Sequence, residues 1–299
     1  MYGGRWYMKN LIKGLFWLTI VIIVLYTLND KYHFRETFMS IDVLKEESNE
    51  EDFVAEVRKA MLNGLEELTL QYIGPVEDME WFTEDVIDKV YRIDDPLESG
   101  DYDYLRYKAN SIYAHIVGFG NNMTISYEFK YNETAEQTQQ VDEIIQKLFR
   151  KWDMNQLSDL NKIKKIHDFI IQNASYDTDT LNYSTYDNLV RKSSTCQGYM
   201  SLAYKMFTEA GIPSRIITGT GNKDSHGWNI VYLEGKWYNI DCTWDDPITL
   251  NGKDVIIYDY YLKSEEEFKG HLRDAEFTSE EFLSQYPIAE KSYETEMID

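Results

Sequence analysis

Residues 196–244 constrain the fold more than any other part of this 299-residue chain, because they predict one buried helix followed by strands. Apolar residues recur at helical spacing through the first half of this segment, and Gly211 and Pro213 stop the pattern. Thr195 is a natural N-cap, so we expect Cys196 in the first turn of the helix. The helix dipole stabilises a thiolate there, although an isolated buried cysteine is more often an inert packing residue.

Three strands are expected after this helix. Residues 215–220 predict the first, and a β-hairpin follows with Glu234 and Gly235 at its tip. Pairing of Leu233 with Lys236 sets the register of this hairpin. A shift by one residue would turn every side chain to the other face of the sheet, so the register decides which polar residues meet.

The polar residues that matter in the hairpin are His226, Asp241 and Cys242. In the expected register Trp228 lies opposite Asp241, and His226 shares the face of Trp228 because it is two positions away. Asp241 is then a diagonal neighbour of His226, within side-chain reach. Cys242 points to the opposite face, so we expect it to pack in the core and not to form a disulfide with Cys196.

A cysteine at a helix start, followed by a histidine and an aspartate on one face, is a combination used in nucleophilic catalysis. As a thiolate, Cys196 would attack a carbonyl carbon, and His226 would hold the proton and return it to the leaving group. Asp241 would fix the imidazole tautomer and stabilise the imidazolium. Each residue alone also has a structural interpretation, as a packing cysteine, a hydrogen-bonded histidine or a turn residue.

Three short motifs carry a resemblance to a known family. They are Cys196-Gln197-Gly198-Tyr199, His226-Gly227-Trp228-Asn229 and the segment 237–247. Together with residues 184–190 they look like the bacterial transglutaminase-like superfamily, over roughly residues 155–270. The resemblance implies an α+β, papain-like core, in which the helix that carries the cysteine packs on an antiparallel sheet. It also implies a catalytic triad of Cys196, His226 and Asp241. Cys242 stands where the family usually has an apolar residue.

The family includes acyl transferases, cysteine proteases and members of unknown activity. The resemblance therefore implies a thiol enzyme that acts on amide bonds of protein or peptide substrates through a thioester. Either water or an amine would resolve the acyl-enzyme. The alternative is a non-catalytic binding or scaffold module at the cell surface that keeps the fold.

Further site residues are predicted around the triad. The Cys196 backbone N–H, at a helix N-terminus, is expected to be one oxyanion donor. Tyr186 is predicted as the second donor, and Gln197 and Trp228 as oxyanion or substrate contacts, although Trp228 fits core packing equally well.

No cofactor and no metal are expected. The sequence lacks phosphate-loop, zinc and dinucleotide motifs. Asp245 and Asp246 predict a turn before Pro247 instead of a cation site, because two adjacent carboxylates do not make a coordination shell.

The region before the triad predicts a small α+β support domain at 51–152, followed by a catalytic domain at 153–299. Helical patterns cover 51–70, 83–91 and 134–152, and Thr83 is predicted to cap the second of these helices. Strands at 111–119 and 123–131 predict a hairpin. We expect it to pack on these helices, because a lone hairpin cannot bury a face.

The first 29 residues contain three basic residues and no acidic one, whereas the whole chain has a net charge of −22. Residues 11–28 form an apolar stretch that approaches the roughly 20 residues needed to span a bilayer, with no cleavage-like site after it. We therefore expect residues 1–29 to be a cytoplasmic stub with a single-pass anchor, residues 30–50 a stalk, and the rest extracellular. A buried core helix is the alternative for the apolar stretch.

The charge and the cysteine content limit the partners. Nucleic acid is not expected as a partner, because its binding rests on Lys and Arg, and acidic residues outnumber them 52 to 30. Two cysteines are too few for a disulfide-stapled fold. The expected partner is a protein or peptide substrate, with cell-envelope proteins among the candidates.

Overall fold

The computed structural model describes residues 46–76, 79–98, 100, 102–247 and 255–294. The chain divides into two compact units between Glu46 and Glu47, and the described residues belong almost entirely to the second. The predicted anchor at 11–28 lies outside the described residues, as does most of the predicted stalk. Among the helices that are described, none is long and apolar enough to cross a membrane.

The first half of the second unit is built on a hairpin and short helices. The elements between residues 46 and 131 are β1 (Glu46–Glu47), α1 (Glu50–Leu62), β2 (Glu67–Ile73), α2 (Asp85–Tyr91), α3 (Tyr102–Lys108), β3 (Ala109–Phe119) and β4 (Asn122–Tyr131), with a 3-10 turn at Glu80–Phe82. Antiparallel pairing gives the strand order β2-β4-β3, and the predicted hairpin is present as β3 and β4. Phe53, Phe82 and Tyr127 are buried in a core formed entirely by residues of this half.

Two helix predictions in this half are wrong in detail. The helix expected over 51–70 ends at Leu62, because Gly64 adopts a positive φ of 66° and the chain then enters β2. Leu68 and Leu70 therefore lie in a strand, where residues two positions apart point to the same face of the sheet. Thr83 does not cap α2, since it ends the preceding 3-10 turn and Glu84 takes the N-cap position.

The helix α4 (Ala135–Lys151) begins with a capping box, in which Thr134 and Gln137 each bond the backbone N–H of the other. Its buried residues Val141 and Ile145 pack in the core of the C-terminal half, and not on the hairpin as we expected. The hairpin instead buries its inner face against α1 and α2. The division into a domain at 51–152 and another at 153–299 stays a prediction.

The C-terminal half contains the predicted helix and sheet. Its elements are α5 (Asp159–Asn173), β5 (Ser175–Tyr176), β6 (Ser193–Ser194), α6 (Cys196–Glu209), β7 (Ser214–Gly221), β8 (Asp224–Leu233), β9 (Lys236–Ile240), β10 (His271–Arg273) and α7 (Glu280–Gln285). Single turns lie at Met154–Gln156, Asp187–Arg191 and Ala275–Thr278. The main sheet is antiparallel with the order β10-β7-β8-β9, and α6 packs on β7 and β8. The predicted α+β core, a cysteine-bearing helix on an antiparallel sheet, is confirmed.

The hairpin of β8 and β9 has the predicted register. Leu233 pairs with Lys236, and Glu234 and Gly235 turn the chain with positive φ angles of 51° and 87°. The last pair of the ladder is Asn229 with Ile240. The side-chain alternation that we used to place His226 and Asp241 therefore holds as far as Ile240.

Candidate active site

Cys196 is the first residue of α6, the helix that packs on β7 and β8. Thr195 precedes it with extended backbone angles but makes no side-chain capping bond, so its hydroxyl does not occupy the first N–H groups of the helix. The cysteine is partly exposed, whereas the helix behind it is buried from Gly198 to Thr208. Glycine at position 198 lets the start of α6 pack close to β6, because a Cβ there would lie only 2.5 Å from the Ser194 side chain.

His226 and Asp241 are in direct contact. The Nε2 atom of His226 lies 2.7 Å from Oδ2 of Asp241, and the two residues are 8% and 1% exposed. The predicted pairing of Trp228 with Asp241 does not form, because the chain turns immediately after β9. The backbone N–H groups of Thr243 and Trp244 donate to Oδ1 of Asp241 at 2.9 and 3.3 Å and hold its carboxylate in this turn.

The charges at the site favour an imidazolium. Burial lowers the pKa of His226, but hydrogen bonds with Asp241 and Cys196 outweigh burial and raise it to about 10. Burial raises the pKa of Asp241, but hydrogen bonds from His226 and His271 lower it to about 2. Since Nε2 of His226 faces Asp241, Nδ1 is the nitrogen left for the sulfur of Cys196.

A cavity of about 400 Å³ opens beside His226. Tyr176, Asn222, Trp244, Tyr260 and Asp246 are among its lining residues. The ring of Trp244 stacks on His226 with centroids 5.3 Å apart, and Trp228 stacks at 6.2 Å. These aromatic rings cover part of the imidazole, which also lines the cavity.

Comparison with known proteins identifies this part of the chain. Residues 146–242 match the family model of the transglutaminase-like superfamily, and the match contains Cys196, His226 and Asp241. Residues 146–242 are a transglutaminase-like domain. The fold of the C-terminal half is thus the transglutaminase-like one that the motifs implied.

Curated relatives match a similar segment of the chain. The kyphoscoliosis peptidases of mouse and human are each 29% identical to this chain in an alignment 127 residues long, and the alignment covers 35% of this chain. The matched segment is 19% of the relatives, so the chain spans about a fifth of the length of the curated relatives it matches.

Two solved structures give remote matches. A crystal structure of a TGase is 16% identical with a TM-score of 0.34, covering 78% of this chain and 64% of the other. The periplasmic domain of TgpA from Pseudomonas aeruginosa is 13% identical with a TM-score of 0.31, covering 42% of this chain and 55% of the other.

The other predicted site residues of the transglutaminase-like domain are not all at the cavity. The backbone N–H of Tyr186 donates to Glu133, and Tyr186 is not among the residues that line the cavity. The Gln197 side-chain amide donates to the backbone carbonyl of Tyr107 on α3 at 3.1 Å. Trp228 is buried against His226. Only Trp228 among these three therefore contacts a predicted triad residue in the geometry described.

Tyr176 and His271 reach the site without having been predicted. Tyr176 lines the cavity, and burial, followed by the charge on Cys196, raises the pKa of its phenol. The Nε2 atom of His271 lies 3.0 Å from Oδ2 of Asp241. Neither residue has a sequence signal, since His271 follows Asp241 by 30 positions in a three-residue strand.

A second buried histidine lies behind the site. The Nε2 atom of His167 is 3.0 Å from Asp245, and its Nδ1 atom is 3.1 Å from Asp168. Burial lowers the pKa of His167, but the hydrogen bonds with these carboxylates outweigh burial and raise it. Asp245 also accepts the backbone N–H of Tyr260 at 2.9 Å, so it joins the turn after β9 to the segment 255–261.

The second cysteine of the chain is Cys242. Cys242 is a buried free cysteine, and burial raises its pKa well above the usual range, so its thiol is poorly suited to attack.

Among the described residues, His226, Asp241 and His271 bring atoms that could ligate a metal within 4.8 Å of one another. Those atoms already form the imidazole–carboxylate hydrogen bonds, which satisfy them without a metal.

Proposed function

We propose that this chain is an extracytoplasmic thiol enzyme that acts on amide bonds of protein or peptide substrates through a thioester on Cys196. The observation that supports it most is the arrangement of a partly exposed cysteine at a helix start beside a buried histidine, which is itself hydrogen-bonded to a buried aspartate. A thiolate next to an imidazolium is the activated form of a cysteine nucleophile.

The proposed reaction has two steps. The Cys196 thiolate forms a C–S bond to the carbonyl carbon, and the carbonyl electron pair moves to the oxygen. That pair returns as the C–N bond breaks, and the Nδ1 proton of His226 goes to the leaving amine. In the second step water, or another amine, loses a proton to His226 and attacks the thioester carbonyl carbon. The C–S bond then breaks, the acyl group leaves as a carboxylic acid or a new amide, and the Cys196 thiolate and the His226 imidazolium are restored.

Two donors are available for the oxyanion of this reaction. One is the Cys196 backbone N–H at the start of α6, where helical N–H groups have no partner within the helix. The other is the Tyr176 hydroxyl, which takes the place that we predicted for Tyr186. Tyr176 pairs with Ser194 in the short parallel ladder of β5 and β6, so it is held beside the strand that leads into Cys196.

The substrate is proposed to be a protein or peptide. The word peptidase in the name of the curated relatives agrees with cleavage of an amide bond. Residues 11–28 are proposed as a single-pass anchor, which would hold the catalytic residues outside the cell and near the proteins of the envelope. The support for this location is the basic, apolar start of the chain.

The reaction can be tested with β-casein in the presence and absence of dansylcadaverine. Shortened casein fragments would indicate hydrolysis, and fluorescent casein would indicate transfer to an amine. We expect at least one of these products from the wild-type chain and neither from Cys196→Ala. Equal products from both proteins, or none from the wild type, would contradict the proposed activity and favour the non-catalytic module.

A further inference from the structure

The carboxylate of Asp241 serves two histidines at once. The Nε2 atoms of His226 and His271 lie 2.7 and 3.0 Å from the same oxygen, Oδ2. The other oxygen accepts the backbone N–H groups of Thr243 and Trp244. Because each carboxylate oxygen has two acceptor sites, all four are in use, and the charged form of the carboxylate is the one that this set of donors requires.

Both nitrogens of His271 face acceptors. Its Nε2 atom faces Asp241, and its Nδ1 atom lies 3.2 Å from the backbone carbonyl of Lys269. A carbonyl and a carboxylate can only accept, so both nitrogens must carry hydrogen for both bonds to form. This geometry calls for a doubly protonated, positively charged His271.

Aromatic rings surround this second imidazole. The ring of Phe268 stacks on His271 with centroids 3.9 Å apart, and the rings of Trp244 and Trp228 lie at 4.1 and 4.8 Å. The side chain of His271 is 2% exposed. Aromatic faces attract a cation, and they also fix the orientation of the ring.

Strand β10 brings His271 to this position. On β7, Gly219 pairs with His226 of β8 on one side and with Arg273 of β10 on the other, and His271 pairs with Gly221. A Cβ at Gly219 would lie 1.9 Å from the backbone oxygen of Leu272, so glycine is what lets β10 approach. The two histidines therefore approach Asp241 from strands on opposite sides of β7.

We propose that His271 is a positioning residue of this site, which holds Oδ2 of Asp241 against His226 and places a second positive charge beside the carboxylate. The proposal rests on the proposed function. With His271 charged, the buried group contains two imidazolium cations, one carboxylate and one thiolate. Its net charge is zero, which reduces the cost of burying the thiolate–imidazolium pair.

The charge of His271 acts on Cys196 through this group. Among the described residues, the titratable groups that face His271 are Asp241 from the turn after β9, His226 from β8, and Tyr260, whose ring is 5.4 Å away. Removal of the His271 charge leaves one net negative charge in the group. The thiolate then becomes less stable, so a higher pH is needed to form it.

The first test uses nitrogen-15 NMR on the wild-type chain. We expect both ring nitrogens of His271 to be protonated at pH 7, as the two acceptors require. A neutral His271 ring at that pH would overturn the proposal. This measurement needs no variant, so it does not depend on how substitutions fold.

The second test follows the alkylation of Cys196 by iodoacetamide from pH 5 to pH 9. In His271→Gln the amide can still donate to Asp241, but the charge is gone. We expect the midpoint of the profile to move by about one pH unit to higher pH, so that the rate falls by up to about tenfold below the wild-type midpoint while the rate at pH 9 is unchanged. His115→Gln, on the exposed face of β3, is the matched control and should follow the wild type.

The results of these tests distinguish a failure of the proposed function from a failure of the role of His271. If wild-type Cys196 is no more reactive at pH 6 than free cysteine, the proposed function fails. If wild-type Cys196 is reactive at pH 6 and the folded His271→Gln variant has the same profile, the role of His271 fails and the proposed function stands. A uniform loss of rate at every pH would also contradict the charge role, because it would mark a structural effect.

Discussion

Asp241 is the residue on which the charges of the proposed site depend. Its carboxylate accepts four hydrogen bonds in a place where it is 1% exposed. Those bonds keep it ionised, and its charge in turn keeps a proton on His226. The contribution of the Asp241–His226 pair to the free energy of unfolding should therefore depend on pH in a defined direction.

The alkaline limb of activity tests this coupling. The pKa of His226 is raised from 6.5 to about 10. The contribution of the charged His226 to the stability of the folded chain is therefore complete below pH 6.5 and is lost as the pH rises through 10. Asp241→Asn removes the charge that favours the imidazolium, and the alkaline limb should move to lower pH. We also expect kcat to fall about 10²- to 10⁴-fold. A pH–rate profile with β-casein checks both, and an unmoved alkaline limb would show that Asp241 does not act on His226.

Tyr176 carries a second prediction at the residue scale. If its hydroxyl stabilises the oxyanion, Tyr176→Phe should lower kcat about 10²-fold or more with little change in KM. Alkylation of Cys196 by iodoacetamide develops no oxyanion, so its rate should stay at the wild-type value. Tyr186→Phe is the matched control, since Tyr186 does not line the cavity. A loss of kcat in Tyr186→Phe alone would instead support Tyr186 as the second oxyanion donor.

At the scale of elements, periodicity and turn residues were sufficient for α6 and for the hairpin of β8 and β9. Their signals are local: a helical stripe closed by Gly211, and a two-residue turn at Glu234 and Gly235. The contact of His226 with Asp241 followed from side-chain alternation, even though Asp241 lies in the turn after the strand. Local patterns thus predicted the core of the site.

Elements that depend on distant partners could not be predicted in this way. Strand β10 has three residues, too few for a period, and exists because Gly219 leaves room for it on β7. The sequence therefore gives no signal for the histidine that this strand carries. Tyr176 was missed for the same reason, because a two-residue parallel ladder with Ser194 places it.

The role of β10 gives an element-scale prediction. In Gly219→Ala the new methyl group overlaps the Leu272 carbonyl, so β10 must move and His271 loses its contact with Asp241. Such overpacking costs about 1–3 kcal/mol. We expect a lower Tm together with the same shift of the iodoacetamide profile to higher pH that is expected for His271→Gln.

Gly120→Ala separates this local effect from general destabilisation. Gly120 turns the β3–β4 hairpin with a φ of 63°, and among the described residues no heavy atom beyond its chain neighbours lies within 4 Å of a Cβ built there. Its substitution should lower Tm through backbone strain and leave the alkylation profile unchanged. Unchanged alkylation in Gly219→Ala would mean that the position of β10 does not matter to Cys196.

At the scale of the whole molecule, α3 connects the N-terminal half to the main sheet of the C-terminal half. Asp103 on α3 is buried and accepts Nε of Arg215 at 2.8 Å and the backbone N–H of Ile216 at 2.8 Å, both on β7. The same helix accepts the Gln197 amide through Tyr107. The two halves are therefore joined by polar contacts, one of which ends at Gln197, the residue after Cys196.

Removal of this connection should be costly. Asp103→Ala leaves the largely buried Arg215 without its carboxylate, and loss of one partner of a buried pair costs about 3 kcal/mol or more. Arg106→Ala, on the same helix, removes an exposed pair with Glu276 and should cost less than about 1 kcal/mol. Urea titrations give the free energy of unfolding for each variant. Equal losses would show that the buried pair does not join the halves.

The central claim is that His226 activates Cys196, and the rate of Cys196 alkylation by iodoacetamide at pH 6 tests it most directly. Cys242 is buried, so Cys196→Ala gives the background. We expect the wild-type chain to react at least about tenfold faster than His226→Gln, because the neighbouring imidazolium strongly favours a thiolate at that pH. Equal rates in the folded wild type and His226→Gln would contradict the account.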